Sequence, residues 1–228
     1  MRHGVRAGAR RMGYGPAARR PPRGVHVGRD AGRHPGGLGI RRQGEAMNAE
    51  EQWLGWLARA AGTLRAKTRA NDPATGRRIM LLRRTLHEGP GRDGGVLDEW
   101  LLDMGWDPAW DAHRADAART LALEAVWLTQ ARPAGGPDGD LGACLGRLDG
   151  GERQLARIQR ATAPDRILRA VMAAVVRLAA HRIEPDWTRL GADLADLAGP
   201  DPKAADRVRA AWGASRASAA HGGAARTD

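Results

Sequence analysis

The stretch from 164 to 182 reads PDRILRAVMAAVVRLAAHR, and the fold class turns on it. Leu168, Val171, Met172, Val175 and Leu178 recur at steps of three and four, the period of one face of an α-helix. Pro164 opens the helix, where its missing N–H is not needed.

The same period extends in both directions from this helix. Toward the C-terminus, Trp187, Leu190, Leu194 and Leu197 mark a second helix and Val208 with Trp212 a last one, after which residues from about 215 read as a fraying tail. Toward the N-terminus, Leu155, Ile158 and Thr162 line one side of a helix, and LGACLGRL at 141–148 is a short one. RPAGGPDGD at 132–140 has the composition of a linker. Before it come helices at about 109–130, 96–104, 74–87 and 50–66, the last carried by Trp53, Leu54, Trp56, Leu57, Ala60 and Leu64. Asn71-Asp72-Pro73 reads as a stop followed by a start. Sustained two-residue alternation is absent, so no strands are expected. The expectation is an all-α protein: two small helical bundle domains at 47–131 and 140–215, joined by the Pro/Gly-rich linker. A disordered basic extension at 1–46 precedes them and a disordered tail at 216–228 follows.

The chain has 228 residues and a formal charge of +11, which would suggest a polyanionic partner if the charge were evenly spread. Its distribution is uneven. Residues 1–46 hold 11 arginines against Asp30 and Glu45, a net of +9, which leaves +2 for 47–228. That first segment is rich in Gly, Arg, Ala and Pro without an apolar period, so it cannot repay the entropy of ordering. QGEAM at 43–47 is the kind of peptide a purine-rich ribosome-binding site before an ATG would encode, which favours Met47 as the start. A basic nucleic-acid-binding tail is the alternative. No apolar run has the length of a signal-peptide core or of a membrane span, so a soluble cytoplasmic protein is expected, without membrane partners. Cys144 is the one cysteine, which rules out an internal disulfide; its neighbours suggest a small buried residue.

In the folded part, charge segregates along the chain: residues 57–92 carry +7, residues 93–149 carry −7 and residues 150–189 carry +4. In RRIMLLRRTLHE at 77–88, Ile79, Leu82 and Leu86 share one helix face while Arg77 and Arg84, seven apart, share the other. Arg78, Arg83, Lys67 and Arg69 lie close by in sequence. Further on, Arg153, Arg157 and Arg160 form a row opposite Leu155 and Ile158. A single such row is an ordinary solvated face. Two rows suggest a surface that tracks phosphates, because each neutralised phosphate releases counterions without any base contact.

Catalytic patterns are missing. GPGRDGG lacks the ending of a phosphate-binding P-loop and follows a helix where a strand would be needed. Asp98/Glu99 and Asp103/Asp107 could in principle hold a metal or exchange protons, but acids on a surface helix are usually solubilising. No enzyme activity, metal or cofactor is expected. Eight tryptophans against no Phe and one Tyr raise the possibility of base stacking; their helix positions argue for packing in all but Trp106 and Trp110.

The order LLRRTL (81–86), VLDEWL (96–101), RTLALEAVWLTQ (119–130), LGACLGRL, VVRLAAHRIEPDWTRLGADLADLAGPD (175–201) and DRVRAAWGAS (206–215) resembles the CasB family, the small subunit of the type I-E CRISPR Cascade complex. The resemblance covers about residues 50–215. It implies a non-enzymatic, all-helical subunit that sits as a pair along a guide-RNA ribonucleoprotein. The implied partners are the other Cascade subunits, the CRISPR guide RNA, the target DNA with its displaced strand, and a second copy of the chain. Base pairing reads sequence in such complexes while protein cations hold backbone and extruded strand.

Arg83 and Arg84 match the family's Leu-Arg-Arg directly. The family's second Leu-Arg falls at Met172-Ala173 when counted back from Asp186-Trp187, whereas the actual pair is Leu168-Arg169, one turn earlier. Arg169 and Arg177 therefore enter the candidate set with either a shifted register or a lost contact, and the arginine often found after the glycine of LGxxL is Ala143 here. The full candidate set is Lys67, Arg69, Arg77, Arg78, Arg83 and Arg84, then Arg153, Arg157, Arg160, Arg169 and Arg177. Two other classes stay open: a stand-alone helical DNA-binding regulator, for which no tight helix-turn-helix is present, and a helical adaptor that uses the acidic 93–149 face to bind protein.

Overall fold

Asn71 and Asp72 show how this chain passes from one helix to the next. Asn71 takes a left-handed conformation (φ 54°), which stops the first helix, and its N–H and that of Asp72 bond back to the carbonyls of Thr68 and Lys67. Asp72 then turns its carboxylate onto the second helix. It accepts from the Thr75 hydroxyl at 2.6 Å and from the Ala74 and Thr75 amides, and these bonds, the hydroxyl's first, hold its carboxyl below the usual range. Pro73 follows as the first helical residue.

A computed structural model describes residues 38–88, 94–132 and 135–224. Its helices are α1 (Leu38–Arg69), α2 (Pro73–Glu88), α3 (Gly94–Asp103), a 3-10 helix at Pro108–His113, α4 (Arg114–Leu128) and α5 (Leu141–Gly146). They continue with α6 (Gly151–Arg160), α7 (Pro164–Ala180), α8 (Trp187–Ala198) and α9 (Pro202–Ala224). The described residues contain no strand, and the fold is all-α. Residues 1–37 of the expected basic extension, part of the glycine break and part of the linker lie outside the described residues; α1 begins at Leu38, inside the segment read as an extension.

The centre of the fold is α4. From Ala117 to Leu128 every residue except Arg119 is buried, so this helix has no solvent face beyond its first turns. It packs against α2 on one side and against α7 and α8 on others, so its contacts reach both sides of the Pro/Gly-rich stretch, and the described residues from Gly39 onward cluster as one compact unit. α7 buries Ile167, Ala170, Val171, Ala174, Val175 and Leu178, while Leu168 and Met172 sit at the edge of the core. The stripe is thus rotated by one residue from the expected one, toward Ile167, Ala170 and Ala174. Each fully buried Val or Leu here stabilises by roughly 1.5–3 kcal/mol relative to exposure.

All eight tryptophans are buried, including Trp106 and Trp110, which sequence reading left as free for stacking. They pack edge to face with each other (centroids 5.5 Å apart), and Trp106 does the same with Trp56 at 4.8 Å. The indole N–H of Trp56 donates to the Met104 carbonyl at 2.8 Å and that of Trp106 to Asp111, which ties α1 to the turn after α3.

The short helix α5 is seated by glycine. A Cβ on Gly142 would lie 2.2 Å from the Trp212 carbonyl oxygen, and one on Gly146 would lie 2.5 Å from that of Arg216, so α5 rests backbone to backbone on α9. This contact explains why α9 runs to Ala224, past the point near 215 where the sequence reads as a fraying tail. Asp140 caps α5 through the Ala143 amide and also accepts from the Ser215 hydroxyl at 2.7 Å, a second tie between α5 and α9.

Arg65 of α1 points inward. Its guanidinium meets Glu184 at 3.1 Å and Glu124 at 3.6 Å, and Glu184 also accepts from the Trp187 indole. Both Glu124 oxygens are buried without a hydrogen bond, and burial pushes its carboxyl well above the ordinary range. The triad joins α1, α4 and the segment before α8.

Candidate nucleic-acid interface

The first group of candidate cations follows the caps of α1 and α2. Lys67 and Arg69 stand exposed in the last turn of α1. In α2, Ile79 and Leu82 are buried while Arg77 and Arg84 are exposed, as the seven-residue spacing requires; Arg78 and Arg83 are half-buried. Met80, 64% exposed, lies on the outer side of the helix. Arg77 and Arg78 line a cleft of about 320 Å³ whose other walls include Trp100, Glu99 and Asp103 of α3. Two arginines thus face two carboxylates, which lowers the field the cleft presents to an incoming anion. Lys67, Arg69, Arg83 and Arg84 do not line this cleft.

The second group starts from α6, where Leu155 and Ile158 are buried and Arg153, Arg157 and Arg160 are exposed on the opposite side. The row then divides. Arg153 faces a hollow of about 680 Å³ together with Arg177 of α7 and Arg216 of α9, where Asp149 and Glu152 also contribute walls. Arg177 donates to the Asp149 carbonyl at 3.1 Å, which holds it against the turn before α6.

Arg157 and Arg160 face a different hollow, of about 360 Å³, between the end of α6 and the start of α7. Its lining is Arg157, Arg160, Ala161, Arg166, Arg169 and Ala170, with no carboxylate among them. Arg169 donates from Nε to the Asp165 carbonyl of its own helix at 3.2 Å, so the register that sequence reading left open brings it to the same place as Arg157 and Arg160. Among the described residues Arg157, Arg160 and Arg166 have no ion pair. Arg209 comes close by donating to the Ala161 carbonyl at 3.3 Å, but its charge is met by Asp206.

Sequence reading missed Arg166 and Arg216. Arg166 precedes Arg169 by one helical turn and follows Arg160 across the turn at 161–163, a spacing visible in sequence once that turn is known to be tight. Arg216 was hidden by the reading of its segment as a tail.

Several other charged groups have structural partners. Asp98 pairs with Arg114, Asp107 caps the 3-10 helix through the Ala109 amide, and Arg147 pairs with Asp138. Cys144 is buried near the Gly139 and Glu184 carbonyls, and burial pushes its thiol up to about 12, so it is not a nucleophile at neutral pH. Among the described residues, no group of three or more His, Cys, Asp or Glu side chains is placed to hold a metal ion, and no helix is long and apolar enough to cross a membrane.

Comparison with known proteins agrees with this architecture. The structure is similar to CasB from Thermobifida fusca, with a TM-score of 0.57, 20% identity, and coverage of 72% of this chain and 97% of that one. At that identity the likeness speaks to the fold. No curated protein matches the chain by sequence. Residues 65–215, from the inward-facing Arg65 to the Ser215 tie between α5 and α9, match the family described as CRISPR-associated protein Cse2. On that match, which spans well over half of its length, the chain belongs to the CasB/Cse2 family of CRISPR-associated proteins.

Proposed function

We propose that this chain is a non-catalytic, nucleic-acid-binding small subunit of a type I-E CRISPR surveillance complex of the Cascade kind, stabilising target and displaced DNA strands around a guide RNA. The observation that carries this reading is the α6–α7 hollow, where four arginines converge with no lining carboxylate in a member of a CRISPR-associated family. Unpaired guanidiniums on short rigid helices suit backbone phosphates, since they neutralise charge in fixed directions and read no base. The candidate residues of α1 and α2 would add further phosphate contacts along the strand.

Co-expression tests the reading. Residues 47–228 produced with the remaining Cascade subunits and a guide RNA from the same source should co-elute with the complex at about two copies, and loosen at high salt. A chain that runs free while the rest assembles would reject the assignment as a subunit.

A further inference from the structure

We infer that the α6–α7 hollow is a discrete phosphodiester seat that takes one unit of a flexible single strand, with Arg166 as a cation nothing in the sequence pattern had assigned. This rests on, and narrows, the nucleic-acid reading given above.

Two features of the hollow lead there. Arg157 and Arg160 descend from the last turn of α6, while Arg166 and Arg169 rise from the first turns of α7, so the cations flank the space from two helices. A flat row on one helix would be solvated separately; cations facing one another across a concavity repel unless an anion lies between them. No carboxylate lines the space to relieve that repulsion, in contrast to the clefts at Arg77/Arg78 and at Arg153/Arg177. The occupant should therefore carry more than one negative charge over a short distance, as successive backbone phosphates do.

Size and wall chemistry narrow the class further. A volume of about 360 Å³ is at the lower end for ligand cavities, roughly 300–1,000 Å³. It has room for a sugar with its flanking phosphates and none for the cross-section of a duplex. The remaining walls are Ala161 and Ala170, which offer neither an aromatic plate for a base nor a donor or acceptor for its edge. The seat would grip backbone without regard to sequence, and a bent single strand can lower a phosphate into it where a stiff duplex presents its phosphates only to the rim.

The test uses the full chain and three probes: a fluorescent single-stranded oligothymidylate, a hairpin duplex with the same number of phosphates, and inorganic pyrophosphate. R166A/R169A is expected to weaken single-strand binding about tenfold and to lower the slope of log affinity against log salt by about 1.4, two contacts at about 0.7 each for a single strand. Duplex binding should change by less than about threefold. R157Q/R160Q, which removes the charge but leaves a polar side chain that suits a helix, gives the same comparison should the alanine variant fold poorly. Pyrophosphate should shift arginine Nε–H resonances in the wild-type chain at concentrations where chloride of equal ionic strength does not, and the shifts should be lost in R166A/R169A.

An equal loss for single strand and duplex overturns the strand selectivity. Pyrophosphate acting only through ionic strength overturns the discrete seat. If the free chain binds neither oligonucleotide while pyrophosphate still moves the resonances, the anion seat stands and the nucleic-acid reading beneath it falls.

Discussion

The α2–α3 cleft and the α6–α7 hollow are both built around arginines on short amphipathic helices, but only the second presents net charge. In the first, Arg77 and Arg78 look across at Glu99 and Asp103; in the second, Arg157, Arg160, Arg166 and Arg169 look at one another. Net formal charge along the chain favours the first region, +7 for residues 57–92 against +4 for residues 150–189. The difference teaches that binding potential follows the partners that folding supplies, because carboxylates that share a cleft with cations lower its field more than cations further along the chain raise it.

Arg65 extends the comparison to an arginine whose carboxylates are buried with it. R65M should destabilise the fold by about 2–4 kcal/mol, somewhat below the cost of removing a partner from a fully buried pair, since a quarter of its side chain remains exposed. R157A should cost under about 0.5 kcal/mol by the same denaturant titration. The double variant R65M/E124Q should recover part of the loss, because an amide at 124 has no ionised form to be left unpaired in the core. Similar losses for Arg65 and Arg157 would erase the distinction between interior and surface cations.

Next in size is the contrast between the two clefts themselves. R157A/R160A should lower single-strand affinity roughly tenfold at moderate salt, with a slope reduced by about two phosphate contacts, while R77A/R78A should cost about threefold or less. A larger loss from R77A/R78A in an anisotropy titration would reverse the ranking.

The carboxylates have a comparison of their own. Asp193 serves no cation site: it accepts from the Trp212 indole at 2.6 Å, and burial raises its carboxyl to about 6, with the Trp212 bond and Arg189 working against that rise. A folded-state value raised above the unfolded one stabilises below the unfolded value and is lost as pH rises through about 6. D193N, which keeps an oxygen for the indole, should melt close to wild type near pH 4 and above it at pH 7.5, by about 1 kcal/mol after allowing for partial solvent screening. The raised carboxyls of Glu124 and Asp116 are common to both proteins and cancel in the difference. A pH-independent gap between the two melting curves would remove Asp193 as the source.

The smallest expected effect is the most direct test of masking. E99Q/D103N should raise affinity for a single strand by about two- to threefold, since Arg77 and Arg78 would then face neutral amides across their cleft. No change would mean that the α2 arginines are screened by water already.

Much of the fold was legible in sequence. The three- and four-residue steps of Trp53 to Leu64, Ile79 to Leu82 and Trp187 to Leu197 all become buried helix faces, and Asn71-Asp72-Pro73 becomes a left-handed stop and a cap. Part of the candidate site was legible too: Arg77 and Arg84 stand opposite the buried face of α2, and Arg153, Arg157 and Arg160 opposite that of α6. Other features were not. Trp106 and Trp110 are buried because α1 arrives to cover them, α9 persists because Gly142 and Gly146 let α5 lie on it, and Arg166 matters because a turn folds α7 back beside α6. Each depends on a neighbour distant in sequence.

By itself the sequence determined which residues form helices and which face of each is apolar, since both follow from backbone geometry acting over a few residues and from the cost of leaving apolar area in water. Tertiary structure alone decided which charges remain unanswered. Arg65, Arg78 and Arg166 have the same side chain on the same kind of helix; one is held between buried glutamates, one faces a carboxylate-lined cleft and one lines a hollow whose charged walls are all arginines. The electrostatic energy of a side chain depends on distances across space, and those distances exist only once the helices have packed.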